Sequence, residues 1–153
     1  MGLAETKKVL IVDDSKMMRV LLARVVKSDP SFEVAGEADN GQAAIDLLSE
    51  TSIDLVLLDI EMPVMNGVEA LRQIRLKHDI KVIVVSSLAQ VASVQAAEVK
   101  QLGVDGIVDK PGGALDPSLA ATKGQELISL MREVAGLNLS LIHISEPTRL
   151  IGI

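Results

Sequence analysis

The stretch VLIVDDSKMM, from Val9 to Met18, decides the fold of this chain. Its four leading apolar residues are typical of a buried β-strand, and they run into two adjacent aspartates followed by a helical pattern. Neighbouring carboxylates repel each other, and at an effective dielectric of about 20 near a buried strand end they repel several-fold more strongly than in water. A cationic group should therefore lie close to Asp13 and Asp14.

The composition limits what the chain can do. With 153 residues, 48% of them hydrophobic and 24% charged, the chain is long enough for one domain with its own core. A single aromatic residue, Phe32, argues against sites that stack a base or a flavin on rings. The net charge of −6 offers no basic footprint for direct nucleic-acid binding. The chain has no Cys and no apolar signal or membrane-spanning run, which predicts a cytoplasmic protein without membrane insertion.

Apolar runs alternate with helical patterns five times along the chain. The predicted strands are Lys8–Asp13, Phe32–Ala38, Asp54–Asp59, Lys81–Ser86 and Gly106–Lys110. The predicted helices are Lys16–Lys27, Gly41–Ser49, Gly67–Lys77, Val91–Leu102 and Ser118–Val134. Runs such as VLIV and VIVV are apolar without alternation, so helices should cover both faces of the strands. Five βα units in series predict an α/β fold with a parallel sheet and right-handed crossovers.

Polar residues interrupt the apolar strands at one edge of this predicted sheet. They are Asp13 and Asp14 at the carboxyl end of the first strand, Asp59 at the end of the third, Ser86 at the end of the fourth and Lys110 at the end of the fifth. In doubly wound folds the ligand site lies outside the carboxyl ends of the strands. The set is chemically coherent, and it predicts a phosphoryl-acceptor site.

The expected roles follow from the chemistry of these side chains. Three carboxylates this close resist ionising together unless a hard divalent cation neutralises them, and oxygen ligands suit Mg²⁺. Lys110 can pair with one phosphoryl oxygen, and the Ser86 hydroxyl can donate to another. Asp59 is the predicted nucleophile, forming an acyl phosphate, because it stands alone on its strand while Asp13 and Asp14 form the metal cradle.

Four segments carry a resemblance to a known family. In this order and spacing, VLIVDDS, LVLLDIEMPVMNG, VIVVSS and IVDKP resemble the receiver domain of two-component response regulators. The resemblance implies a flavodoxin-like doubly wound five-stranded parallel sheet, in the order 2-1-3-4-5, with five helices. It also implies Mg²⁺ as the cofactor and a sensor histidine kinase as the source of the phosphoryl group.

The functional residues of the family carry over one by one. The acidic pair, the phosphorylated aspartate, the switch hydroxyl and the lysine correspond to Asp13 and Asp14, Asp59, Ser86 and Lys110. Glu61, two residues after the phosphorylated position, would give its backbone carbonyl to the metal. Ile107 departs from the family, which often has an aromatic ring there, coupled to the switch hydroxyl. Signalling would then run through Ser86 and the loop that follows it.

Two further stretches narrow the interpretation. VVSSLAQ and the long KPGGALDPSLA loop resemble the receiver of chemotaxis protein-glutamate methylesterases, which predicts a methylesterase or other output domain as a partner. Residues 137–153, LNLSLIHISEPTRLIGI, change abruptly to an apolar string with no place in a five-unit fold. This string resembles translated adapter or vector sequence, so we expect a receiver domain at 7–136 and a non-native tail at 137–153.

Other function classes stay open at this point. A stand-alone single-domain response regulator would carry the same motifs. A phosphatase with an aspartyl nucleophile usually has a D-x-D arrangement on the first strand, whereas Asp13 and Asp14 are adjacent. A flavodoxin-like electron carrier needs a phosphate loop rich in Ser, Thr and Gly. Because a receiver only assists its own phosphorylation and dephosphorylation, we expect no enzyme class for this chain.

Overall fold

The computed structural model of the chain describes residues 6–60, 67–86, 94–110 and 117–137. These residues form one five-stranded sheet and five helices. The strands are β1 (Lys7–Val12), β2 (Phe32–Ala38), β3 (Leu55–Leu58), β4 (Lys81–Ser86) and β5 (Gly106–Asp109). The helices are α1 (Lys16–Lys27), α2 (Gly41–Glu50), α3 (Gly67–Lys77), α4 (Val94–Gln101) and α5 (Pro117–Val134).

The sheet has the order β2-β1-β3-β4-β5, and its neighbouring strands pair in parallel. This confirms the doubly wound fold predicted from the sequence. β1 and β3 lie side by side in the sheet. From β1 the chain crosses over to β2 on one side, and from β3 it crosses over to β4 on the other side. The strand order therefore reverses next to β1, where a doubly wound sheet forms its ligand crevice.

Element bounds differ from the sequence prediction mainly by single residues. The strands end before Asp13, Asp59 and Lys110, because these side chains lie at the rim beyond the regular ladder. α5 begins at Pro117, a residue well suited to a first helical position since its missing N–H needs no partner there. α4 is described as Val94–Gln101, and the predicted start at 91–93 lies outside the described residues.

Two apolar clusters pack against opposite faces of the sheet. One cluster joins the strands to α2, α3 and α4, and the other joins them to α1 and α5. The side chains of Leu10, Leu58 and Val84 belong to the first cluster, and those of Ile11 and Leu57 belong to the second. Burial on both faces explains why the strand sequences are apolar without alternation.

Among the described residues, no helix is both long and apolar enough to cross a membrane.

The end of α5 is closed by a backbone cap. The N–H of Gly136 donates to the carbonyl of Glu133 at 3.1 Å, and the N–H of Leu137 donates to that of Arg132 at 2.7 Å. Gly136 has a φ of +80°, the left-handed conformation that this capping motif requires. Arg132 also pairs with Asp29 at 2.8 Å, which ties the last turn of α5 to the loop between α1 and β2.

Gly67, the first residue of α3, lies against the backbone that follows β3. Its N–H donates to the carbonyl of Ile60 at 2.6 Å. A Cβ atom on Gly67 would lie 2.6 Å from the Cα of Ile60 and would collide with the carbonyl oxygen of Asp59. Backbone atoms cannot move aside as a flexible side chain can, so the site requires glycine.

We predict that Gly67→Ala lowers the free energy of unfolding by about 3 kcal/mol, the upper part of the range for overpacked sites. Gly36→Ala is the matched control, because a Cβ there meets only the side chains of Leu10 and Leu47, at 3.5 and 3.7 Å. It should change stability by less than about 1 kcal/mol. Urea unfolding followed by circular dichroism measures both variants, and equal losses would contradict the close packing at Gly67.

Candidate functional site

Three aspartates converge at the carboxyl edge of the central strands. Asp13 and Asp14 follow β1, Asp59 follows β3, and one carboxylate oxygen from each lies within 4.8 Å of the others. Asp13 and Asp59 are buried, whereas Asp14 is exposed. The cluster is therefore closed towards the core and open to solvent on the side of Asp14.

The backbone fixes the residues of the site. The N–H groups of Asp13, Asp59 and Lys110 each donate to a carbonyl of the neighbouring strand, at 3.1, 2.9 and 3.0 Å. These bonds extend the ladder by one residue beyond the regular strands. Each functional side chain therefore projects from a backbone position that the sheet itself holds in place.

Lys110 brings its ammonium group between two of the carboxylates. Its Nζ lies 3.4 Å from Oδ2 of Asp13 and 3.4 Å from Oδ1 of Asp59. Both distances exceed the roughly 2.9 Å of a good N–H···O bond, so these are charge contacts more than hydrogen bonds. Burial alone would lower the pKa of Lys110, but the carboxylates of Asp59 and Asp13 outweigh it and raise this pKa above its ordinary value.

Asp59 has the most strongly perturbed carboxyl group among the described residues. Burial, reinforced by the charge of Asp13, raises the pKa of Asp59 from 3.8 to about 6. The ammonium of Lys110 opposes this rise but does not cancel it. A carboxylate that is costly to ionise without a further cation is what a metal-assisted nucleophile requires.

Three buried polar atoms of the site have no hydrogen-bond partner among the described residues. They are Oδ2 of Asp13, Oδ1 of Asp59 and Oγ of Ser86. Buried polar atoms are rarely left unpaired, so such a group of them indicates a place for a ligand. All three atoms are oxygens, and two of them belong to carboxylates, which fits a hard divalent cation such as Mg²⁺.

Of the other residues predicted for the site, some are placed by the structure and some lie outside the described residues. Ser86 ends β4 in register with Asp109 of β5, and its side chain is fully buried. Ile107 is half-buried and packs against the apolar cluster on the α2, α3 and α4 face. Glu61 lies outside the described residues, as does the loop after Ser86 from residue 87 to 93.

Two charged pairs near the site were not identified from the sequence. Arg19 of α1 donates to the backbone carbonyl of Asp13 at 2.8 Å and pairs with Glu37 of β2 at 3.3 Å. Lys123 of α5 pairs with Asp109, next to Lys110, at 2.9 Å. Arg19 lies six residues after Asp13, about one turn into α1. This spacing is the sequence feature that could have indicated a contact between Arg19 and the turn after β1.

The fold and the cluster at its carboxyl edge define a class of protein. The family model for the response regulator receiver domain matches residues 9–117. The chain belongs to this family of two-component signalling domains. The predicted resemblance is therefore confirmed, and a receiver is a signalling domain rather than a catalytic one.

Curated relatives and solved structures place the chain within the family. It is 37% identical over 135 residues to protein-glutamate methylesterase/protein-glutamine glutaminase 1 of Syntrophomonas wolfei, covering 88% of this chain and 38% of the relative. The response regulator domain of Thermotoga maritima CheB has a TM-score of 0.76 and 33% identity, with 86% of this chain and 98% of that domain covered. The chain thus spans well under half the length of the methylesterase relative.

A third comparison concerns a complex. A chain in the crystal structure of the P1 domain of CheA3 in complex with CheY6 from R. sphaeroides has a TM-score of 0.71 and 42% identity. The match covers 87% of this chain and 99% of that chain. These comparisons confirm the resemblance to chemotaxis receivers that VVSSLAQ and the loop after Lys110 indicated.

The raised pKa of Asp59 predicts a pH-dependent effect of Asp59→Asn in metal-free buffer. Near pH 4 the wild-type carboxyl is protonated in the folded state and only partly ionised in the unfolded state, so the variant should gain little. As the pH rises from about 4 to about 6, the carboxyl ionises in the unfolded state before it ionises in the folded state, and wild-type stability falls. Above pH 7 the variant should be more stable by up to about 3 kcal/mol.

Urea unfolding at pH 4 and pH 8, with a chelator present, measures this difference. Asp46→Asn, at an exposed position on α2, is the matched control and should change stability little at either pH. A gain for Asp59→Asn that is the same at both pH values would contradict the burial and charge argument.

Proposed function

We propose that the chain is a Mg²⁺-dependent phospho-acceptor in which Asp59 is the phosphorylated residue. The observation that carries the proposal is the convergence of three carboxylates, two of them buried, with the ammonium of Lys110 at 3.4 Å from two of them. A structural salt bridge would need only one carboxylate for one lysine. The excess of negative charge at a solvent-open edge supports a site that takes a cation and a phosphoryl group.

Each side chain has a distinct role in the proposed transfer. An oxygen of Asp59 attacks the phosphorus of a phosphorylated imidazole, the P–N bond breaks, and the freed imidazole nitrogen takes up a proton. The ammonium of Lys110 moves from its carboxylate partners to an oxygen of the new acyl phosphate. The Oγ of Ser86 donates to another phosphoryl oxygen, which gives this buried hydroxyl the partner it lacks in the described residues.

Asp13, Asp14 and Asp59 would hold the cation, together with the backbone carbonyl of Glu61. Mg²⁺ supplies charge neutralisation on the phosphoryl oxygens when it is bound. The carboxylate of Asp13 is held for this role by the N–H of Ser15, which donates to its Oδ1 at 2.9 Å. Its Oδ2 is thereby directed towards the shared site.

The partners follow from the relatives. A sensor histidine kinase is the proposed phosphoryl donor, supported by the solved complex of a similar chain with the P1 domain of CheA3. A methylesterase is the proposed output domain, supported by the longer curated relatives. We propose a cytoplasmic location, a receiver domain at 7–136 and a non-native tail at 137–153.

We predict that acetyl phosphate or phosphoramidate with Mg²⁺ adds one phosphoryl group to the protein, on Asp59. Intact-mass spectrometry should show a single adduct in wild type and none in Asp59→Asn, because the amide is not a nucleophile for phosphorus. Asp54→Asn, which removes a carboxylate at the opposite edge of the sheet, is the control and should keep the adduct. An adduct that persists in Asp59→Asn would place the nucleophile elsewhere.

A second prediction concerns the switch. Ser86→Ala should still accept the phosphoryl group on Asp59, but the amide shifts of α4 and β5 that beryllofluoride induces should be lost. Ile107→Val, which removes one methylene from a half-buried position, should cost about 0.5–1.5 kcal/mol of stability and leave the shifts unchanged. Backbone NMR spectra with and without beryllofluoride measure both variants. The reverse pattern would show that Ile107, and not Ser86, reports the phosphorylation.

A further inference from the structure

Arg19 connects the first helix to the backbone of the acidic cluster. Its guanidinium donates to the carbonyl of Asp13 at 2.8 Å and reaches Oε1 of Glu37 at 3.3 Å through its Nε. The side chain of Arg19 is only 17% exposed, so these contacts are made in a largely enclosed place. One residue thus joins α1, the end of β1 and the end of β2.

The carbonyl of Asp13 belongs to the same rigid peptide plane as the N–H of Asp14. Holding this carbonyl fixes the orientation of the plane, and with it the direction in which the chain carries the Asp14 side chain. The other constraint on this turn is the bond from the Ser15 N–H to Oδ1 of Asp13. Both bonds are accepted by Asp13, one by its backbone carbonyl and one by its carboxylate.

Glu37 keeps Arg19 in the geometry that this role needs. Its carboxylate lies on β2, the edge strand beside β1, and is 44% exposed. The planar guanidinium can bond Asp13 and Glu37 at once through different nitrogens, whereas an ammonium group is a point charge without this fork. The pair therefore acts as a brace between the end of β2 and the turn after β1.

We propose that Arg19 is a positioning residue for the cation site, and that it increases the affinity for Mg²⁺ although it carries a positive charge. The inference rests on the proposed function, because it concerns the same cluster of Asp13, Asp14 and Asp59. Arg19 acts through the backbone of Asp13 and does not itself bind the cation.

The sign of the effect separates this role from simple electrostatics. If Arg19 contributed only its charge, removing it would reduce the repulsion of Mg²⁺ and tighten binding. If it positions Asp13 and Asp14, removing it should weaken binding on the order of tenfold, the lower end of the effect of residues that orient metal ligands. The two accounts predict opposite changes for one substitution.

Titration calorimetry with Mg²⁺ tests this on wild type, Arg19→Met and Arg19→Lys. We expect the dissociation constant to rise on the order of tenfold for Arg19→Met and by less for Arg19→Lys, which keeps one donor. Arg24→Met is the matched control, since it removes the same charge from an exposed position of the same helix, and it should bind as wild type does. In the metal-free proteins, amide shifts should change at Asp14 and Ser15 for the Arg19 variants alone.

The outcomes distinguish this inference from the proposed function. Equal or tighter Mg²⁺ binding by Arg19→Met, or unchanged amide shifts at Asp14 and Ser15, would overturn the positioning role while leaving the cation site intact. A wild type that does not bind Mg²⁺, or an Asp13→Asn variant that binds it equally well, would overturn the proposed site itself. If circular dichroism shows that Arg19→Met is unfolded, Arg19→Lys decides by the same criteria.

Discussion

The central constraint on this structure is an excess of negative charge that the sheet holds at one edge. Three carboxylate oxygens lie within 4.8 Å of one another beside a single ammonium group. Two like charges at that separation repel by about 3 kcal/mol at an effective dielectric of about 20, a large part of the 5–15 kcal/mol that stabilises a domain. The apolar clusters on both faces of the sheet must outweigh this repulsion. Burial together with this excess of negative charge explains why Asp59 resists ionisation. The excess is also the reason that a cation is expected there.

The scaffold around the cluster is rigid where the chemistry requires fixed positions. Backbone bonds between strands hold Asp13, Asp59 and Lys110, and Gly67 packs directly against the backbone after β3. In the described part of the chain, three of the five buried side-chain polar atoms without a partner belong to side chains that would meet the cation or the phosphoryl group. A fixed backbone with unsatisfied side-chain atoms is suited to a site whose partners change when a ligand arrives.

Most of the fold could be predicted from the sequence, because β1, β3 and β4 carry continuous apolar runs and several turns are marked by Gly, Pro or Asn. Phe32–Ala38, Lys81–Ser86, Lys16–Lys27 and Gly67–Lys77 have the predicted bounds. The rim residues could be predicted because parallel strands bring their carboxyl ends to one edge. Their roles as ligands and nucleophile stay predictions. The Arg19–Glu37 brace and the close packing at Gly67 could not be read from the sequence, since both depend on distances that only the folded chain fixes.

The most direct test of the account is the position of a divalent cation. Mn²⁺ prefers the same oxygen ligands as Mg²⁺ and scatters anomalously, so crystals soaked in Mn²⁺ locate the site without reference to activity. The account predicts a single strong anomalous peak in contact with carboxylate oxygens of Asp13, Asp14 and Asp59. A peak bound elsewhere, or no peak at this cluster in crystals of the wild-type protein at saturating Mn²⁺, would contradict it.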